Sequence, residues 1–151
     1  MMKKIIALFT LFFVMTPLVS AGDDAVLVYN AWARPTANAS SPAGVFMTIN
    51  NTSDKDILLV GFSAENAAMT HLHEMTTNDG INSMVTHKSF KIPAKTILNF
   101  TKSHLHLMLM KMSSKITKGD SFMITLTFEG IGEMNVPVTV TGMEGFKKDM
   151  E

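Results

Sequence analysis

The sequence predicts an all-β fold, a sandwich or barrel of eight or nine short strands. The clearest sign is His104-Leu105-His106-Leu107-Met108-Leu109-Met110, which alternates without a break. Strict period two puts Leu105, Leu107 and Leu109 on one face of a strand, and His104, His106, Met108 and Met110 on the other. A second sign is that apolar runs recur at intervals of about ten residues with polar turns between them. A third is that no stretch sustains a helical period. Only Ala64-Glu65-Asn66-Ala67-Ala68 suits a single helical turn.

The length of 151 residues and the 46% of hydrophobic residues fit one domain with one core. Residues 1–21 read as a secretory signal. Lys3 and Lys4 form its charged region, Ile5 to Met15 its apolar run, and Val19-Ser20-Ala21 its cleavage site. The apolar run is too short for a membrane span, so the expected product is a domain over 22–141 with a polar tail at 142–151. It is expected to be periplasmic or secreted, with no stable membrane insertion after cleavage. Removing the signal leaves 11 basic against 13 acidic residues, a net charge near −2. That balance lacks the basic footprint of a nucleic-acid binder. Cysteine is absent, so disulfides, thiolate metal ligands and a lipid anchor on a new N-terminal Cys are not expected.

Taken in order, Ala25 to Arg34 reads as an opening strand, with Val26, Val28, Tyr29 and Trp32 favouring β structure and Pro35 stopping it. A small-residue loop, Ala37 to Ala43, leads to a second strand, Gly44 to Asn50, with Val45, Met47 and Ile49 on one face. Turn residues Asn51 to Asp56 precede a third strand, Ile57 to Phe62. Met69, His71, His73 and Met75 alternate with Thr70, Leu72 and Glu74, repeating the period-two pattern. Asn78-Asp79-Gly80 supplies a hairpin turn, and the chain returns through Met84 to Phe90. Pro93-Ala94-Lys95 turns again into Thr96 to Phe100. After the 104–110 strand and the 116–120 loop, Ser121 to Glu129 carries Phe122, Ile124, Leu126 and Phe128 on one face. Gly130-Ile131-Gly132 connects it to a last strand, Glu133 to Thr141.

The non-leucine face of the 104–110 strand carries only imidazoles and thioethers, neutral at pH 7 and soft or borderline as metal ligands. Alternate residues stand roughly 6.8 Å apart, so His106 and Met108 can lean onto one ion. The same pattern also suits a half-covered strand with Met as filler and His at its wet margin. A wider constellation joins His73, Met84, His106 and Met108, with ten, twenty-one and one residues in the gaps.

In this spacing the chain resembles the PCuAC family of periplasmic copper(I) chaperones, whose signature has these four residues at these three gaps. The resemblance extends through Trp32-Ala33-Arg34-Pro35, His73-Glu74, Asn78-Asp79-Gly80, Ile92-Pro93-Ala94, His106 to Met110 and Leu126-Thr127-Phe128. It implies a cupredoxin-like Greek-key β-sandwich or barrel holding one Cu(I) at its surface through His73, Met84, His106 and Met108. It also implies a non-enzymatic, monomeric chaperone whose partner is a copper acceptor, such as cytochrome oxidase subunit II with its CuA centre or another copper chaperone. The ligand chemistry agrees: four neutral donors favour Cu(I), and Zn(II) or hard ions gain little from thioether sulfur.

Neighbouring residues carry weaker expectations. His71 and His104 share the faces of the motif and are candidate auxiliary ligands, and Met75 and Met110 read as rim packing. His87 reads as solvated. Glu74 is a candidate to orient His73, although adjacent strand residues point to opposite faces. Trp32 reads as a core anchor and Arg34 as part of a turn. Two rival functions remain: a metal-dependent enzyme using His71, His73 and His106, and a β-sandwich interaction domain with an incidental His/Met stripe.

Overall fold

A computed structural model describes residues 25–142. The leader assigned to 1–21 lies outside that range, as does the tail beyond Gly142. Ten strands form: β1 (Val26–Ala33), β2 (Ala43–Asn51), β3 (Ile57–Ala64), β4 (Ala67–Asn78), β5 (Ile81–His87), β6 (Phe90–Ile92), β7 (Ile97–Asn99), β8 (Leu105–Met112), β9 (Ser121–Phe128) and β10 (Gly132–Val140). No helix among the described residues is long and apolar enough to cross a membrane.

Seven strands pair in the order β4-β8-β2-β1-β10-β9-β3, and β3 meets β4 again at Ala64 and Ala67. The sheet therefore closes into a barrel, which leaves no free edge within that ring. Every pairing is antiparallel except β1 with β10. β5 extends outward from β4, β6 pairs with β3, and β7 pairs with β2.

The barrel interior follows from the alternation. Leu105, Leu107 and Leu109 are fully buried, as are Leu72, Leu59, Ile49, Ile124, Leu126 and Val138. Each belongs to one inward-facing set, so the histidines and methionines between them fall on the outer face of the barrel. Asn51 is the polar exception. Its buried amide nitrogen donates to the carbonyls of Lys55, Ile92 and Pro93, and its oxygen accepts from the Ser53 amide and hydroxyl. One side chain thus ties the β2–β3 turn to the end of β6.

The all-β expectation holds, and the differences are local. The 64–68 stretch forms no helical turn: Glu65-Asn66 is the tight turn of the β3–β4 hairpin. The turn is tied to β9, with Glu65 N donating to the Met123 carbonyl and Met123 N to the Glu65 carboxylate. The return expected over Met84 to Phe90 starts earlier, at Ile81, and breaks between His87 and Phe90, because β5 follows β4 while β6 crosses to β3. Asn30, at φ 54°, opens a bulge in β1 between Tyr29 and Trp32. Such an extra residue inverts which face the following side chains take. Ala33 therefore points inward and Trp32 outward.

Candidate metal centre

Three neighbouring strands bring the predicted residues onto one surface. On β4, His73 stands directly opposite His106 of β8 and Thr86 of β5, while Met75 stands opposite Met84. One step along, His71 faces Met108, which faces Gly44 on its other side. Met84 and Met108 are thus diagonal neighbours of the His73–His106 pair, within reach of long side chains. The β5 register that delivers Met84 depends on the turn at Asp79 and Gly80, whose φ values are 50° and 76°. Two successive positive values are what a two-residue hairpin of type I′ requires, and Asp-Gly is a favoured pair for it.

The imidazoles of His73 and His106 meet edge to face at 5.8 Å between centroids, with their planes at 89°. His106 is buried at 5% exposure, whereas Met84 is 50% exposed. Burial pushes the His106 imidazole below its ordinary value of 6.5, the neighbouring His73 lowers it further, and the His104 backbone opposes both in part. His73 is lowered as well, first by burial and then by His71. Both rings are therefore held in the neutral form that metal binding needs. The Nδ1 atoms of His73 and His106 are buried without a hydrogen-bond partner. An unsatisfied buried polar atom costs on the order of 1–3 kcal/mol, and two such nitrogens on directly opposed residues are donors that a metal ion would satisfy.

An aromatic wall backs this pair. Phe46 lies 6.3 Å from His106 and stacks on Trp32 at 4.6 Å. Both are buried, yet neither belongs to the core cluster. The wall closes one side of a groove of about 470 Å³ that runs past His106, Met108, Met84 and Met75. Arg34, Pro35, Pro42 and Lys102 line its other margin. Trp32 is thus a support for the site rather than a core anchor, and Arg34 borders the groove. Phe46 was missed by sequence reasoning. The available signal was a large aromatic out of phase with Val45, Met47 and Ile49 in β2.

Other expectations are corrected. His104 does not continue the ligand face. Its amide donates to the Thr101 carbonyl and its carbonyl accepts from Met75 N, so it closes a turn before β8 begins at Leu105. Its Nε2 lies 3.6 Å from Glu74. Glu74 points away from His73 and bonds His87 Nε2 at 2.7 Å, so His87 is half-buried and partnered rather than solvated. Among the described residues no three of His, Cys, Asp and Glu converge as a metal-binding set. The trio required by the enzyme reading, His71, His73 and His106, is not gathered into a common site.

Residues 26–140 match a family model described as "Putative lipoprotein LpqE-like". The chain belongs to this LpqE-like family. A curated relative, "Putative lipoprotein Lxx21020" of Leifsonia xyli, is 31% identical over 81% of the chain and 73% of its own length. The "Uncharacterized protein RP573" of Rickettsia prowazekii is 29% identical over 83% of the chain and 72% of its own. The solved Cu(I) form of DR1885 from Deinococcus radiodurans is 30% identical, with a TM-score of 0.60 over 80% of this chain and 83% of that one. The copper-bound PCuAC domain of PmoF2 has a TM-score of 0.66 over 78% of this chain and 93% of that one; at 18% identity it bears on the fold alone. Lipoprotein is a term of the relatives' names, and this sequence contains no cysteine to carry such an anchor.

Proposed function

We propose that this protein is an exported Cu(I) metallochaperone, non-enzymatic and monomeric, working in the periplasm. It carries one Cu(I) as cargo on His73, Met84, His106 and Met108 and yields it to a copper acceptor such as the CuA centre of cytochrome oxidase. Residues 1–21 serve as the export signal, 22–141 as the copper-binding domain and 142–151 as a polar tail. The observation that carries this reading is the opposed pair His73 and His106, each with an unpartnered buried Nδ1, flanked on the same face by two thioethers. Kinship with a protein solved in its Cu(I) form supports the choice of metal. Four neutral donors leave the ion its single positive charge and favour soft Cu(I) over Zn(II). The position of the face supports transfer: with the barrel interior filled by leucines, an acceptor's ligands can approach Met84 from solvent. The test is titration of the apo-protein with Cu(I) beside Zn(II), followed by X-ray absorption on the loaded form. The first equivalent of Cu(I) is expected to show both sulfur and nitrogen scatterers, and a shell of nitrogen and oxygen alone would overturn the ligand set.

A further inference from the structure

Four soft donors on the same outer face stand outside the proposed ligand set: Met75, beside Met84, and Met69, His71 and Met110 toward the other end. Met69 of β4 pairs directly with Met110 of β8, and His71 pairs with Met108. All four have the parity of His73 and His106, so the face carries a continuous ladder: Met75–Met84, His73–His106, His71–Met108, Met69–Met110. The His71 ring packs edge to face on His73 at 5.7 Å.

Ordinary core filling does not account for the far end of this ladder. The methionines that fill the core are Met47 and Met112, at 3% and 7% exposure. Met69 is 36% exposed, and Met110 and His71 are half-buried outside the core cluster. β5 pairs with β4 only as far as Leu72, so it does not extend alongside Met69. Opposed strand residues have Cβ atoms about 4.5–5.5 Å apart, which lets the two thioethers of Met69 and Met110 close on one ion while His71 approaches from the next rung.

From this placement we infer that Met69, Met110 and His71 form a second Cu(I) position one rung beyond the first, with Met108 between the two. The inference rests on the reading of the first site given above. Its donors are two thioethers and one imidazole, a neutral set selective for soft monovalent ions over Zn(II). It has three donors instead of four and none as buried as His106, which makes it the weaker of the two and the one that fills second.

Methionine-methyl NMR with Ag(I), a soft monovalent ion that does not oxidise thioethers, reads the two positions separately. The first equivalent shifts the methyls of Met84 and Met108, and the second shifts those of Met69 and Met110. The double variant M69L/M110L keeps side-chain volume and takes up one equivalent instead of two, with the Met84 shift intact. A second equivalent that leaves Met69 and Met110 unmoved, or a double variant that still binds two, overturns the inference. A titration in which Met69 and Met110 respond while Met84 and Met108 stay silent supports the second position and overturns the first.

Discussion

Met84 and Met108 share a proposed role at different depths, and that difference separates binding from stability. Met84 is half exposed on β5, while Met108 is half-buried between Gly44 and His71. Met→Leu conserves volume and costs less than about 1.5 kcal/mol even in a core. M84L and M108L are therefore expected to melt close to the parent yet lose Cu(I) at least tenfold in chelator competition. If either unfolds readily but binds normally when folded, its thioether is filler. The histidines add a pH dependence. Both have folded-state pKa values below their unfolded value of about 6.5. The unfolded chain then binds more protons in that interval, so their contribution to apo stability is full above about 6.5 and is lost as pH falls below it. Protons compete with copper only once the depressed folded values are reached, so affinity is expected to stay level from neutral pH down past about 6.5 and then fall. A steep loss already between about pH 8 and 7, or a slope that survives H73A/H106A, would show that another group holds the metal.

At the scale of elements, β5 is the vulnerable part of the site. It lies outside the barrel ring, its residues through Thr86 are exposed, and it holds Met84 in register through the hairpin turn. At Gly80 no atom lies within 4 Å of where a Cβ would stand, so substitution meets only the backbone penalty of φ 76°. That penalty is roughly 1–2 kcal/mol. Gly80→Val is expected to speed amide exchange in β5 about tenfold and to weaken Cu(I) retention, with β8 amides unchanged. Uniform acceleration across the barrel would mean that the hairpin folds as one unit with the rest. The turn was legible because Asn78-Asp79-Gly80 is hairpin-turn chemistry, and the faces of His73, His106 and Met108 were legible because period two fixes them, whereas Met84 joined them only through the resemblance of the spacing to a family signature. The break between β5 and β6 was not, since it depends on which distant strand Phe90 joins. Nor was the turn of His104 toward Glu74, which loop hydrogen bonds at Thr101 and Met75 determine. Trp32 was misplaced for a related reason: the bulge at Asn30 inverts the parity of β1, and nothing in the alternation of that strand announces it.

Over the whole molecule, closure of the barrel separates what holds the fold from what holds the metal. Inward residues such as Leu72, Leu107 and Ile124 make the core, while the His/Met ladder occupies the opposite side of the same strands. Two perturbations should therefore act independently. Asn51 lies on the far side of β2 from the groove and has its amide fully engaged inside the protein. Asn51→Ala leaves three carbonyls and the Ser53 donors without their partner, and each unsatisfied buried group costs about 1–3 kcal/mol. The melting temperature should drop by many degrees, while the folded variant binds Cu(I) as the parent does. His106→Ala should do the reverse. It removes an orphaned buried nitrogen, so it costs stability mainly through the space it leaves beside Phe46, but it takes away half of the imidazole pair. Since a ligand that binds only the folded state stabilises it by RT ln(1 + [L]/Kd), loaded and apo forms of each variant can be compared by calorimetry. Copper should raise the melting temperature of Asn51→Ala by about as much as that of the parent, and barely move that of His106→Ala. A lost copper shift in Asn51→Ala would mean that the barrel end and the metal face form one cooperative unit, and the separation argued from the strand faces would fail.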